Sequence, residues 1–110
     1  GQLAALTFAK GSAALPADCN ETGEIAGVVS WAAEHPDGLI VLAGHADPEA
    51  SQAQGLRISV RRAKAVRGLL VAAGTNPEQI VIAAFDADGA RDRSVVIWGT
   101  PAQRDVVASR

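Results

Sequence analysis

The stretch that decides the fold is GHADPEASQAQGLRISVRRAKAV, residues 44–66, which joins the end of an apolar run to a long amphipathic segment. The apolar run is LIVLAG at 39–44, and its short, continuous character is typical of a strand buried on both faces. From Ser51 onward apolar residues recur at helical spacing, which predicts a helix over 51–73. The predicted core-facing stripe of this helix consists of Leu56, Val60, Ala63, Val66 and Leu70.

Charged side chains are concentrated at this strand-to-helix junction. Asp47 and Glu49 lie in the predicted loop, and four Arg or Lys residues follow within the quoted stretch. At about 100° per residue, Arg62 lies at the margin of the core stripe, where it can turn toward Asp47. The other three cations share the face opposite the stripe: Arg57, Arg61 and Lys64. These residues are compatible with a ligand site, with a structural Asp47–Arg62 ion pair, or with ordinary solvated charge.

The remaining segments predict a β-α-β-α-β-β order. Alternation of strands and helices favours an α/β (α+β sandwich) fold, in which a mixed sheet carries its helices on one face. The predicted elements are strands over 3–9, 39–44, 80–85 and 93–99 and helices over 20–34 and 51–73. Asp18 or Asn20 is expected to cap the first helix. The short link at 86–92 predicts that the last two strands form an antiparallel hairpin. Residues 1–100 are expected to form one domain and residues 101–110 a tail.

Composition excludes several classes of function. The net charge of −2 argues against a general nucleic-acid binder, and one cysteine permits no internal disulfide. No run is long enough for a membrane helix, so the domain itself is expected to be soluble, which leaves open attachment of a parent protein to a membrane by a segment outside this sequence. His45, Asp47 and Glu49 alternate, but they lack the spacing of a metal cluster, so no metal or other cofactor is predicted. Ser59 has no Gly-x-Ser-x-Gly context, and an enzyme is not predicted.

Several pieces of the sequence resemble the OmpA-like peptidoglycan-binding domain, a family found at the carboxyl end of outer-membrane and flagellar-stator proteins. Residues 44–47, Gly-His-Ala-Asp, resemble the family's Gly-His-Thr-Asp. Residues 55–70 resemble its Asn-x-x-Leu-Ser-x-x-Arg-Ala-x-x-Val-x-x-x-Leu, with the same interval between Asp47 and Arg62. TFAKGSAAL near the start and DRSVVI near the end resemble the family's first-strand and closing motifs.

The resemblance implies a function and a set of site residues. The implied function is non-covalent, non-enzymatic binding of cell-wall peptidoglycan through the diaminopimelate of its stem peptide. Asp47 would meet the ammonium of that amino acid, and Arg62 its carboxylate. The further residues implied are Ala46, Ala50 and Ser51, which would give backbone or hydroxyl bonds, and Arg93, a peripheral support. The implied location is the periplasm of a Gram-negative-type cell envelope, where the domain would anchor a larger protein, with other envelope proteins as further partners.

This sequence departs from the family motif at several positions. Ala46 replaces Thr, Gly55 replaces Asn, and Ser94 replaces the second Arg of the closing motif. Ala50 stands where Gly is common, and Asp92 replaces an Asn. These replacements motivate an alternative hypothesis, in which the fold is kept, wall binding is lost, and the domain serves as a protein–protein interaction module.

Overall fold

The computed structural model describes residues 1–20, 23–84 and 92–102. Its elements follow the predicted order of strands and helices. They are β1 (Gln2–Thr7), α1 (Glu24–Glu34), β2 (Leu39–Gly44), α2 (Gln52–Ala72), β3 (Ile80–Ala84) and β4 (Ser94–Thr100), with a short 3-10 helix at Pro77–Gln79 before β3. A mixed α/β fold with a four-stranded mixed sheet and two helices is therefore confirmed.

The order of strands in the sheet differs from the prediction at one point. The order is β1-β4-β2-β3, so β4 lies between β1 and β2 and does not pair with β3. The predicted antiparallel hairpin of the last two strands is wrong. β3 pairs in parallel with β2, and β4 is antiparallel to both β2 and β1. The chain from Ala84 to Ser94 therefore connects strands two positions apart, about 10 Å, a separation that a short linker can bridge without a hairpin turn.

Helix α2 begins with a capping box. The Ser51 hydroxyl accepts a hydrogen bond from the Gln54 amide, and the Gln54 side chain accepts one from the Ser51 amide. Such a reciprocal cap satisfies two N–H groups that the first helical turn leaves free. Helix α1 instead begins after Gly23, whose φ of 80° is left-handed, with no side-chain cap, so the predicted caps at Asp18 or Asn20 are wrong.

The buried stripe of α2 is rotated from the predicted one. Its buried members are Gly55, Ser59, Arg62, Ala63, Val66 and Leu70. Leu56, which we predicted to face the core, is 50% exposed, and that prediction is wrong. The difference lies in the first half of the helix, where Gly55, Ser59 and Arg62 face inward. Ala63, Val66 and Leu70 are buried as predicted.

Both helices cover the same face of the sheet. Two strand glycines permit this close approach: a Cβ at Gly44 would overlap the Ser59 carbonyl of α2, and a Cβ at Gly99 would lie 2.8 Å from the Trp31 ring of α1. The core lies in this layer and includes Ile40, Leu42 and Ile97. Gly44 thus sets the distance between the end of β2 and the first half of α2.

The opposite face of the sheet is apolar and partly exposed. Trp98 of β4 lies opposite Val41 of β2, which in turn lies opposite Val81 of β3. Trp98 is 41% exposed and Val81 42%. Phe85 and residues 103–110, part of the predicted tail, lie outside the described residues. Within the described ranges, neither helix combines the length and apolar character that a membrane crossing needs.

Candidate ligand-binding site

Three segments that are distant in sequence meet at one end of the sheet. Asp47 lies in the loop that leaves β2, Arg62 projects from α2, and the loop of residues 9–12 follows β1. The side chains of Asp47 and Arg62 converge: Asp47 Oδ1 lies 2.5 Å from Arg62 Nη2. The acid and the guanidinium meet at the sheet end, as predicted, but both are buried, whereas the predicted role in gripping a ligand requires them to be accessible.

The Arg62 guanidinium is enclosed by protein. It is 0% exposed and donates hydrogen bonds to three backbone carbonyls. Nε donates to Ser12 O at 2.8 Å, Nη1 to His45 O at 3.0 Å and Nη2 to Ala9 O at 3.2 Å. Its Cζ also lies 5.6 Å from the centroid of the Phe8 ring. Since the Asp47 contact adds a fourth partner to a group with five N–H donors, most of its binding capacity is already used.

Asp47 is nearly buried, with 5% of its surface exposed. Its Oδ2 accepts a hydrogen bond of 2.6 Å from the Gly11 amide. Its Oδ1 is close to Arg62 Nη2 but has no hydrogen-bond partner of good geometry, so this contact is an ion pair rather than an aligned hydrogen bond. The carboxylate thus keeps unused acceptor capacity.

The surroundings of Asp47 keep it ionised. Burial alone would raise the pKa of this carboxyl. The Gly11 amide, the adjacent Arg62 and the more distant charge of Arg93 outweigh burial and lower the pKa of Asp47 below its usual value of 3.8. Asp47 is therefore ionised at neutral pH and paired with the positive charge of Arg62.

An open groove of about 270 Å³ runs beside Asp47. Its lining residues are Lys10, Gly11, Asp47, Glu49, Ala50, Gln54 and Ile58. Glu49 stands between two cations on the rim, with Oε1 3.7 Å from Lys10 Nζ and 3.8 Å from Arg93 Nη1. The groove therefore has the buried carboxylate of Asp47 in one wall and solvent-exposed charged side chains at its edge.

The other predicted site residues have different surroundings. Ala50 lines the groove, whereas Ala46 is fully buried beneath it and its carbonyl accepts the Arg93 amide at 3.0 Å. Ser51 is engaged as the cap of α2. Arg93 adopts a left-handed φ of 58° and pairs with Glu49, with Nη1 3.8 Å from Glu49 Oε1.

Sequence reasoning missed the contribution of the loop after β1. Lys10 and Gly11 line the groove, and the Gly11 amide binds Asp47 directly. The signal was the Gly11-Ser12 pair directly after the first strand, since Gly11 has a left-handed φ of 66° that turns its amide inward. Gln54 and Ile58 were also missed, although both lie on the turns of α2 that follow the loop.

Within residues 1–20, 23–84 and 92–102, no three His, Cys, Asp or Glu side chains form a group able to hold a metal ion. The site is therefore built from an ion pair, backbone amides and an open groove. Such an arrangement suits an organic ligand that carries its own charges.

A model of the OmpA family matches residues 7–104. The chain belongs to the OmpA family. Domains of this family are non-enzymatic domains of envelope proteins that bind peptidoglycan, so the family resemblance and the prediction of a non-enzymatic domain are confirmed. No curated protein matches the chain by sequence.

Solved structures share this fold at low sequence identity. The peptidoglycan-associated lipoprotein from Burkholderia pseudomallei aligns with a TM-score of 0.76 at 17% identity, over 87% of this chain and 89% of that chain. The OmpA-like domain of FopA1 from Francisella tularensis gives 0.70 at 20% identity, over 88% and 71%. The C-terminal domain of Helicobacter pylori MotB gives 0.69 at 20% identity, over 96% and 90%. These likenesses extend over nearly the whole described fold.

Proposed function

We propose that this domain binds cell-wall peptidoglycan non-covalently, through the diaminopimelate of the stem peptide, and anchors a larger envelope protein. The observation that carries the proposal is Asp47, an ionised carboxylate in the wall of an open groove, at the position of the Asp in the family motif. The compartment that follows is the periplasm of a Gram-negative-type envelope. A solved structure of similar fold is described as the periplasmic domain of Helicobacter pylori MotB.

Diaminopimelate supplies the charge that Asp47 needs. The distal end of this amino acid carries an ammonium and a carboxylate on one carbon, and the ammonium donates hydrogen bonds to a carboxylate. Asp47 lines the groove and is ionised at neutral pH. Its Oδ1 has no hydrogen-bond partner but is buried, so it can accept from the ammonium only if the ligand displaces the atoms that cover it. A charge-assisted hydrogen bond of this kind contributes about 1.5–3 kcal/mol.

The assignment of Arg62 to the ligand carboxylate stays a prediction from the family resemblance. A direct contact requires the loop of residues 9–12 to move, because the Ala9 and Ser12 carbonyls cover the guanidinium. In the closed arrangement Arg62 acts on the ligand through Asp47, whose orientation and charge it maintains. The proposed contact at Ala50 needs no such movement, because Ala50 already lines the groove. The other proposed contacts in this loop are at Ala46 and Ser51.

Binding through one groove of this size is expected to be modest. Association has a large entropic cost, and few ligand groups fit a 270 Å³ groove. A wall polymer offers many stem peptides, so several anchored copies would hold a membrane or a complex to the wall by avidity. Weak single-site affinity is therefore compatible with an anchoring role.

Sedimentation with insoluble cell-wall sacculi tests the proposal. Asp47→Asn removes the negative charge with little change of shape. At a given sacculus concentration a smaller fraction of this variant than of wild type should pellet, corresponding to a roughly tenfold or greater loss of affinity. Glu78→Gln, an exposed position in the 3-10 helix before β3, is the matched control and should pellet like wild type. Circular dichroism confirms that both variants are folded. Wild-type protein that stays in the supernatant would refute the proposal.

The alternative function is a protein–protein interaction module. It is favoured by the exposed apolar side chains of the outer sheet face, among them Leu39, Val81 and Trp98, and by the enclosure of Arg62. This alternative predicts that free diaminopimelate causes no NMR chemical-shift changes at residues 44–62. It also predicts that wild-type protein stays in the supernatant with sacculi, so the titration and the sedimentation experiment together separate the two functions.

A further inference from the structure

Helix α2 carries a cationic surface that the site at the end of the sheet does not use. Residues 50–77 contain no Asp or Glu, although the whole chain has a net charge of −2. The cationic face of α2 consists of the four basic residues of the helix that lie outside its buried stripe: Arg57, Arg61, Lys64 and Arg67. The first three are exposed, and Arg67 is half-buried. None of the four lines the groove beside Asp47.

No acidic side chain among the described residues pairs with this cationic face. The ion pairs between described residues engage other cations, namely Lys10, Arg62 and Arg93. Exposed helix cations are commonly balanced by acids one turn away, and α2 contains no acid. The positive charge of the face is therefore left to solvent and to whatever binds there.

The cations of the face also lie close enough to repel one another. Arg57 and Arg61 are four residues apart, and Arg61 and Lys64 are three apart, the spacings at which helix side chains are neighbours. Like charges at such spacings destabilise a helix slightly. An anionic surface that covers all of them would relieve this repulsion.

The shape of the face fits an extended array of anions. At about 100° and 1.5 Å per residue, Arg57, Arg61 and Lys64 fall within about 60° around the helix axis, and the face is about 15 Å long. It lies on the outward, convex side of α2, opposite the buried stripe. A convex row of separate cations matches many anions in a plane better than one small ligand.

An apolar edge beside the cations distinguishes between anionic partners. Leu56 is 50% exposed, and Val60 is half-buried. At about 100° per residue both fall within about 40° of Arg67, along one side of the cationic face. Cations flanked by an exposed leucine are typical of helices that lie on anionic lipid, where the apolar side chain enters the headgroup layer. An acidic protein surface would need the charges alone.

We propose that the cationic face of α2 binds the anionic headgroups of a lipid surface, with Leu56 inserted among them. Because domains of the OmpA family belong to envelope proteins, a lipid surface is a partner that such a domain meets. The proposal is independent of wall binding, since the face and the groove beside Asp47 share no residue. The domain would then have two separate binding surfaces, one for the wall and one for a membrane.

Co-sedimentation with lipid vesicles tests this proposal. The probes are phosphatidylcholine vesicles and vesicles in which phosphatidylglycerol replaces about a third of that lipid. We expect wild-type protein to bind only the anionic vesicles at about 0.05 M salt and to be released at about 0.5 M salt. Replacing Arg57, Arg61 and Lys64 together by Gln should lower the affinity by about fivefold for each charge removed.

Three controls accompany this triple variant. Arg57→Lys with Arg61→Lys keeps both charges and should bind vesicles like wild type. Leu56→Ser should lower the vesicle affinity while leaving its dependence on salt unchanged. The triple variant should still pellet with sacculi like wild type, because none of its three positions lines the groove, and circular dichroism checks that it is folded.

Two results would overturn the proposal without touching wall binding. One is wild-type protein that ignores anionic vesicles at low salt, and the other is a triple variant that binds them as tightly as wild type. Self-association at low salt that the triple variant abolishes, in the absence of vesicle binding, would assign the face to a second copy of the chain and would also overturn it.

Discussion

At the scale of single residues, the site depends on a charge pair that is almost withdrawn from water. Removing two charges from solvent is costly, and the pair is tolerated only when further hydrogen bonds complete it. Here the Gly11 amide donates a hydrogen bond to Asp47, and three backbone carbonyls accept hydrogen bonds from Arg62. The result is a carboxylate that stays ionised beside an open groove.

The depressed pKa of Asp47 predicts how stability depends on pH. The pKa in the folded state lies below the ordinary value of 3.8, so ionised Asp47 stabilises the fold above that value, and this contribution is lost as the pH falls through the folded-state pKa. Asp47→Asn lacks the contribution at every pH. The difference in free energy of unfolding between wild type and Asp47→Asn should therefore be largest near neutral pH and shrink below about pH 4.

Urea denaturation of both proteins across this range measures the effect. Taking the difference cancels the contributions of the other carboxylates, which the two proteins share. A difference that stays constant from neutral to acid pH would contradict the ionised, paired state of Asp47.

The sequence identified the two charged residues but not their surroundings. Asp47 and Arg62 follow from the motif, because their spacing along loop and helix is a local property. The enclosure of Arg62 by the Ala9 and Ser12 carbonyls does not follow from the motif, because these carbonyls lie 53 and 50 residues away in the chain. For the same reason, Lys10 did not stand out from other exposed lysines.

At the scale of elements, the contact between β2 and α2 sets the position of Arg62. Gly44 ends β2 directly beneath Ser59, one turn before Arg62 on the helix. A side chain at Gly44 would push α2 away from the sheet. The guanidinium and the carboxylate would then separate.

Gly44→Ala should therefore destabilise the domain by about 1–3 kcal/mol, the usual cost of overpacking, and weaken sacculus binding. Gly68→Ala is the matched control within α2, because a Cβ there meets nothing within 4 Å. Replacing glycine inside a helix should stabilise it by about 0.5–1 kcal/mol. Urea denaturation midpoints measure both effects. A Gly44→Ala variant as stable as wild type would show that the position of α2 does not depend on this glycine.

Helices and strands were predictable because hydrophobic periodicity and turn residues are local signals. The errors at this scale have physical causes. Leu56 was assigned to the core because it is apolar, but small Gly55 and Ser59 occupy the side of α2 that approaches the sheet. The hairpin was predicted from a short link, but β4 pairs with β1 and β2 instead.

At the scale of the whole molecule, Arg62 ties together three parts of the chain. It binds the loop after β1, the loop after β2 and, through its backbone, helix α2. Replacing the Arg62 side chain should therefore destabilise the loops that form the groove as well as the core. Arg62→Leu leaves Asp47 buried without its counter-ion, a change that costs about 3–5 kcal/mol.

A second substitution distinguishes the unpaired charge from lost packing. Adding Asp47→Leu to Arg62→Leu removes the buried charge and should recover a large part of the lost stability. Amide hydrogen exchange at Gly11 should rise in Arg62→Leu, because its acceptor and the anchors of its loop are disturbed together. Equal stability of the single and double variants would contradict the charge-pair account.

The sequence by itself determined the order of elements, the family and the acid and guanidinium of the site. These depend on the spacing of residues close together in the chain, on turn residues and on the periodicity of apolar residues. Only the tertiary structure decided that β4 lies between β1 and β2, that Arg62 is enclosed, and that Lys10 shares a groove with Asp47. The physical reason is that strand pairing, burial and the occupation of hydrogen-bond donors depend on groups far apart in the chain, which local patterns do not encode.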